Sequence, residues 1–186
     1  MNLLGTQIIE TKRIVLRKLV IEDAENIFKN WASLEETMKY LPWEPSKSIE
    51  QVKVRLQNWI NLYSNNTFFQ WGIELKSSKE LIGIINLHEV DVNNQSAETS
   101  YILAKKYWNK GFMTEALQAV LNFGFEDIGL NRINAEYYDG NISSEKVMLK
   151  NNLQYEGVAK EKYLKKGKFY NAIQYALTKK EWEKWS

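Results

Sequence analysis

LAKKYWNKGFMTEALQAVLNFGF, the stretch from Leu103 to Phe125, ends an apolar run, crosses a short polar loop and turns helical. The loop from Lys105 to Lys110 combines cationic, aromatic and amide side chains, and Gly111 stands where the helix begins. From there Met113, Ala116, Leu117, Val120, Leu121 and Gly124 recur at i, i+3, i+4, i+7, i+8 and i+11, the spacing of a helix with one buried face. Glu115, Gln118 and Asn122 fall on the polar side.

A strand that runs through a glycine turn into a helix leaves the first helical N–H groups unpaired and aims the positive end of the helix dipole outward. Such a turn can hold an anion, with phosphate the natural guest. Gly111 has no Cβ to keep an anion off the backbone, and Lys110 and the Thr114 hydroxyl can add donors. A glycine before a helix also serves simply as a turn. The stretch contains neither a P-loop pattern nor a dinucleotide-fold G-x-G-x-x-G.

The run Tyr107-Trp108-Asn109-Lys110-Gly111-Phe112-Met113-Thr114-Glu115-Ala116 resembles the acetyl-CoA signature of the GCN5-related N-acetyltransferase (GNAT) superfamily, in particular its ribosomal-protein N-terminal acetyltransferase (RimJ/RimL-like) branch. Trp108 and Met113 depart from the two ends of the general [QR]-x-x-G-x-[GA] pattern. Asn141-Ile142-Ser143-Ser144 through Lys150 resembles a second block, N-x-x-S-x-x-V-x-x-K, and the similarity spans Lys12 to Trp182. The resemblance implies an α/β (α+β) GNAT fold over residues 1–186 as one acyl-CoA N-acyltransferase domain. It further implies a splay between the fourth and fifth strands that takes the pantetheine arm of acetyl-CoA against backbone groups of Ile102 and Leu103. The N–H groups of Trp108, Asn109, Lys110, Gly111, Phe112, Met113 and Thr114 would take the pyrophosphate. Asn141 and Ser144 are either cofactor contacts or caps of their own helix.

Composition closes other routes. The 186 residues, 44% hydrophobic and 13% aromatic, suffice for one sizeable core. Twenty-five basic and 23 acidic residues are well mixed, so neither nucleic acid nor membrane is an obligatory partner. The absence of cysteine removes disulfides, thiolate metal sites and an acyl-cysteine intermediate, and a single histidine cannot build a multi-histidine metal centre. No apolar run approaches a membrane span and no leader pattern opens the chain, which leaves a cytoplasmic protein, monomer or homodimer, as the expectation.

Alternation and β-branching mark strands at Arg13–Arg17, Phe68–Leu75, Leu81–Glu89, Ala97–Leu103, Arg132–Tyr138, Gln154–Tyr163 and Phe169–Thr178. Helices are expected after Glu22, near Leu34–Tyr40, over Ile49–Tyr63 behind a Ser48/Gln51 capping box, and over Ser143–Asn151. The result is a mixed, mostly antiparallel sheet of about seven strands with helices on both faces. Asn151-Asn152 should end the last of these helices, since asparagine tolerates left-handed backbone.

Without cysteine, the chemistry implied is direct attack of a neutral amine on the thioester, with positioning as the main source of rate. Glu98 is the first candidate for the base that deprotonates the amine and His88 the second. Ser144 is the candidate acid, because Met148 occupies the place of the superfamily's frequent tyrosine acid and cannot donate a proton. The acceptor is a protein N-terminus or a small amine such as an antibiotic or polyamine, and a silent acyl-CoA-binding module is the rival. Trp31, Tyr40 and Trp71 read as core, Trp43 between two prolines as pocket, and the cationic stretch Lys160–Lys168 as a solvated hairpin.

Overall fold

The structure, a computed structural model, describes residues 1–185. Its strands are β1 (Ile9–Glu10), β2 (Ile14–Arg17), β3 (Phe69–Leu75), β4 (Leu81–Asp91), β5 (Ser96–Leu103), β6 (Arg132–Tyr138), β7 (Gln154–Lys165) and β8 (Lys168–Thr178). They form one sheet in the order β1-β2-β3-β4-β5-β6-β8-β7, with β5 and β6 the parallel pair. The eighth strand is β1, two residues paired with Val15 and Leu16, too short to carry an alternating pattern.

The helices are α1 (Ala24–Ile27, continued by a wide turn to Ala32), α2 (Glu35–Met38), α3 (Ile49–Leu62), α4 (Phe112–Asn122, widening over Phe123–Ile128), α5 (Ile142–Lys150) and α6 (Lys179–Trp182). The Ser48 box is half formed: Ser48 Oγ accepts the Gln51 N–H at 3.4 Å, but Gln51 Oε1 reaches the Lys47 N–H at 2.9 Å. Asn152 does adopt left-handed backbone, φ 60°, where α5 ends. The unanticipated α6 opens on a complete capping box between Thr178 and Glu181.

Helices lie on both faces of the sheet. On one, α4 buries Met113, Ala116, Leu117, Val120 and Leu121 against Trp71, Ile85 and Leu87. Each of its large apolar side chains contributes about 2 kcal/mol of burial. Gly124 follows on the same face because a Cβ there would meet Ile133 Cδ1 at 2.7 Å, so the helix approaches β6 only through glycine. On the other face, α1 and α3 pack Ile27, Trp31, Val52 and Leu56 on Leu81 and Ile84.

Two irregularities interrupt the sheet. β5 pairs with β6 only from Ser96↔Arg132 to Thr99↔Ala135. Beyond that, β5 runs on to Leu103 against β4 while β6 runs on to Tyr138 against β8, so the two strands part as expected. In β4 the register slips after His88↔Glu98, leaving Glu89 and Val90 opposite Ala97 alone before Asp91↔Ser96. Glu89 takes φ 50° to make this bulge. Among the described residues, no helix is long and apolar enough to cross a membrane.

Candidate active site

The loop before α4 has the open amides that its sequence promised. Asn109 and Gly111 are both left-handed, at φ 59° and 79°, and the first helical bond runs from the Glu115 N–H to the Gly111 carbonyl at 3.0 Å. Among the described residues, the N–H groups of Asn109, Lys110, Gly111, Phe112, Met113 and Thr114 have no hydrogen-bond partner. Trp108 departs from expectation, because its amide donates to the Lys105 carbonyl at 3.0 Å in a tight turn. Its indole Nε1 donates to the Leu103 carbonyl at 2.7 Å, so one lone pair of that carbonyl is also engaged.

Arg13, which sequence reading passed over, holds this loop in place. Nη1 donates to the Lys110 carbonyl at 2.9 Å, Nε pairs with Glu115 Oε2 at 2.6 Å, and the guanidinium lies 4.4 Å from the centre of the Phe112 ring. Glu115 also accepts from the Thr11 hydroxyl and the Arg13 N–H. Burial pushes this carboxyl up, and those bonds outweigh it, leaving the group below its ordinary range.

A cleft of about 380 Å³ opens from the loop towards α5. Ile102, Leu103, Trp108, Asn109, Gly111, Phe112, Met113, Thr114, Asn141 and Ser144 line it. Lys110 does not, and its ammonium sits over the Tyr107 ring at 5.5 Å. Asn141 and Ser144 combine the two roles left open for them. Asn141 Oδ1 accepts the Ser144 N–H at 3.4 Å and Nδ2 donates to Ser144 Oγ at 3.0 Å, capping α5, while both residues face the cleft. Tyr101 Oη donates to the Ser144 carbonyl at 3.2 Å, tying β5 to α5 across the splay, and burial pushes its phenol well above the usual value.

A second cavity, about 400 Å³, lies on the α1/α3 side. Its floor is the sheet, where one cross-strand row holds Gln70, Asn86 and Ser100 and the next holds His88 and Glu98. The two candidate bases are thus neighbours, with His88 Nε2 3.9 Å from Glu98 Oε1, beyond hydrogen-bond reach. Burial, then the charges of Glu136 and Glu89, push the Glu98 carboxyl up to about 7. Burial lowers His88 although both those carboxylates oppose it. Near neutral pH, Glu98 is therefore close to half ionised beside an uncharged imidazole.

Glu136, on β6 across the splay, was not singled out by sequence. Its side chain is 8% exposed, takes Lys162 at 2.6 Å and is in contact with Tyr163 Oη. The aromatic expectations also need correcting. Trp71 is core, but the buried Trp31 also walls this cavity, and Tyr40 walls both cavities and donates to the Gly140 carbonyl at 3.1 Å. Trp43 lines the cavity as expected. The cationic hairpin is only partly solvated. Lys165 Nζ reaches back to the carbonyls of Met38 at 2.6 Å and Leu41, and Lys166 pairs with Glu35 at 3.0 Å, fastening the loop that carries Trp43.

Among the described residues, no cluster of three or more histidine or carboxylate side chains could hold a metal ion. The acetyltransferase (GNAT) domain family matches residues 13–154. The chain is 34% identical over 172 residues to the uncharacterized N-acetyltransferase YoaA of Bacillus subtilis, covering 92% of this chain and 97% of that one. It is 26% identical over 178 residues to the ribosomal protein uS5-alanine N-acetyltransferase of Escherichia coli, covering 92% and 91%. An acetyltransferase (GNAT family) from Bacillus anthracis superposes with a TM-score of 0.83 at 27% identity, over 94% of this chain and all of that one.

Proposed function

Because this chain belongs to the GNAT acetyltransferase family, we propose that its two cavities bring acetyl-CoA and a primary amine together for direct acetyl transfer. The observation that carries this reading is continuity: Tyr40, Leu41, Tyr101, Ile102, Asn141 and Ser144 line both cavities. The six unpaired amides at the start of α4, and a glycine whose missing Cβ leaves the turn open, fit a diphosphate. GNAT acetyltransferases use acetyl-CoA, which supplies the thioester that the amine attacks. The strand edge at Ile102 and Leu103, bared by the splay, would hold the pantetheine arm.

From the opposite side, Glu98 takes the proton from the incoming ammonium, its balance near pH 7 suiting a base that must be ionised before it acts. His88, neutral and adjacent, is the alternative. Ser144 Oγ, at the junction of the cavities, is the group to return a proton to the sulfur. Residues 1–186 then form a single acyl-CoA N-acyltransferase domain.

Two acceptor classes have support. The relative acting on a ribosomal-protein alanine favours a protein α-amine. The aromatic walls and the carboxylates of Glu98 and Glu136 favour a compact amine. Thiol release from acetyl-CoA across a panel of N-terminal peptides and small amines tests the proposal. At least one should be turned over. Coenzyme A affinity without thiol release on any of them would refute acetyl transfer and leave a binding module.

A further inference from the structure

The second cavity is lined by carboxylates and also by donors with nothing to bond. Among the described residues, Gln70 Nε2 is one of two buried side-chain polar atoms without a hydrogen-bond partner, and the residue is 5% exposed. Buried amides in folded proteins nearly always have a partner. Gln70 lines the cavity, two strands from Glu98 on the same face of the sheet. At the spacing of neighbouring strands this sets their backbones roughly 10 Å apart across the sheet.

Arg55 lines the same cavity from α3. Its guanidinium is partly buried beside the Trp43 ring, 5.7 Å from the ring centre, and makes no ion pair or hydrogen bond with any described residue. Burial lowers its pKa, yet an arginine remains charged in proteins. The cavity therefore combines carboxylates on β5 and β6 with two unpaired N–H donors, one on β3 and one on α3. A diamine would meet attraction at Glu98 and repulsion at Arg55, whereas a dipolar acceptor suits both.

We infer that the acceptor is an amine that also carries a carboxylate or carbonyl oxygen, with Gln70 and Arg55 the specificity-determining residues that receive that oxygen. This rests on the second cavity being the acceptor site. Arginine gives a carboxylate two parallel hydrogen bonds, and the Gln70 amide adds a third donor without further charge. A free amino acid and the first residue of a peptide share this chemistry. A second ammonium at the same distance from the reacting amine lacks it.

The test uses full-length protein and acceptors matched in chain length: ω-amino acids, their ω-amino amides, α,ω-diamines and plain alkylamines, with a peptide bearing the best amide as its N-terminal residue. Wild type should use the carboxylate or amide series at least tenfold better, in kcat/KM, than diamines or alkylamines at one or more lengths. Preference for the free acid over the peptide marks a small-molecule source, the reverse a protein terminus, and either supports the assignment. Arg55→Met should lower the carboxylate-to-diamine ratio at least tenfold, mainly through KM. Gln70→Leu should lower the amide-to-alkylamine ratio. Both are ratios within one variant, so partial loss of folded protein does not imitate the effect, and coenzyme A titration confirms an intact cofactor cleft. Diamines preferred by wild type, or ratios unmoved in both variants, overturn the inference while leaving acetyl transfer standing. No turnover of any amine overturns both.

Discussion

Replacing Glu98 with glutamine separates a catalytic carboxylate from a structural one, because the two roles predict opposite balances of gain and loss. The folded carboxyl titrates at about 7 against a reference of 4.5. A difference of that size corresponds to about 3 kcal/mol at 1.36 kcal/mol per pH unit, and solvent screening of a partly exposed group brings it to about 1–2 kcal/mol. The folded state holds the proton more tightly than the unfolded chain does. Its contribution is therefore complete below pH 4.5 and is lost as pH rises towards 7. Glutamine stays neutral, so the variant should match wild type below pH 4.5 and melt higher at pH 8. Activity should go the other way. A base titrating near 7 is roughly one-tenth ionised at pH 6 and nine-tenths at pH 8, so wild-type turnover at saturating acetyl-CoA should rise about tenfold over that interval. An alkylamine acceptor, whose ammonium titrates near 10, keeps its own ionisation outside the window. Glu98→Gln should lose that limb of the profile and at least tenfold in rate at pH 8. A variant that melts higher but keeps more than a third of the rate and an unchanged profile refutes Glu98 as base and transfers the role to His88 or water.

Three further substitutions probe the frame around the chemistry. Gly111→Ala places a Cβ on left-handed backbone of φ 79°, 3.4 Å from Arg13 Nη2; calorimetry should show at least tenfold weaker coenzyme A binding and about 1–2 kcal/mol lost stability, and undiminished affinity would refute the anion site. Lys165→Met removes the ammonium that holds the Met38 and Leu41 carbonyls, so hydrogen exchange at residues 38–43 should quicken and stability fall by about 1 kcal/mol, whereas unaltered exchange would show that the loop is held by other contacts. Tyr101→Phe deletes the bond to the Ser144 carbonyl and should lower the urea midpoint by the equivalent of about 1 kcal/mol, an unshifted midpoint meaning the splay is not tied there.

Local pattern accounts for what could be read from the chain. α4 keeps helical period for three turns and opens at a glycine that its backbone needs, so both the element and the open amides at its start were legible. β1 was not, being two residues long, and neither was α6, although Thr178 and Glu181 carried a capping box in plain view. The second cavity was illegible for a different reason. Gln70, Asn86 and Ser100 become one row only through strand register, and Glu136 meets Glu98 only because β6 is laid beside β5. Glu98 could be nominated from its place in β5, but its raised pKa comes from burial and from carboxylates 38 and 9 positions away, which only the fold supplies.

The site occupies the places where the sheet departs from regularity. Continuous pairing between β5 and β6 would use the strand edges at Ile102 and Leu103 and close the way from one face to the other. Pairing stops at Thr99 and Ala135, and in the proposed reaction a cofactor on the α4 side and an amine on the α1/α3 side would meet between the strands. The bulge at Glu89 and Val90 falls immediately after His88, where local twist re-aims the end of β4. It leaves Glu89 near enough to raise Glu98 while the carboxylate itself stays exposed to solvent. Deleting Val90 would remove the bulge and leave both His88↔Glu98 and Asp91↔Ser96 in register, with Glu89 alone opposite Ala97 and turned by regular alternation to the face away from Glu98. Such a deletion should therefore lower the apparent pKa of the pH–rate profile towards the ordinary carboxylate range without abolishing acetyl transfer, and a profile still centred near 7 would show that burial and Glu136 alone hold Glu98 there.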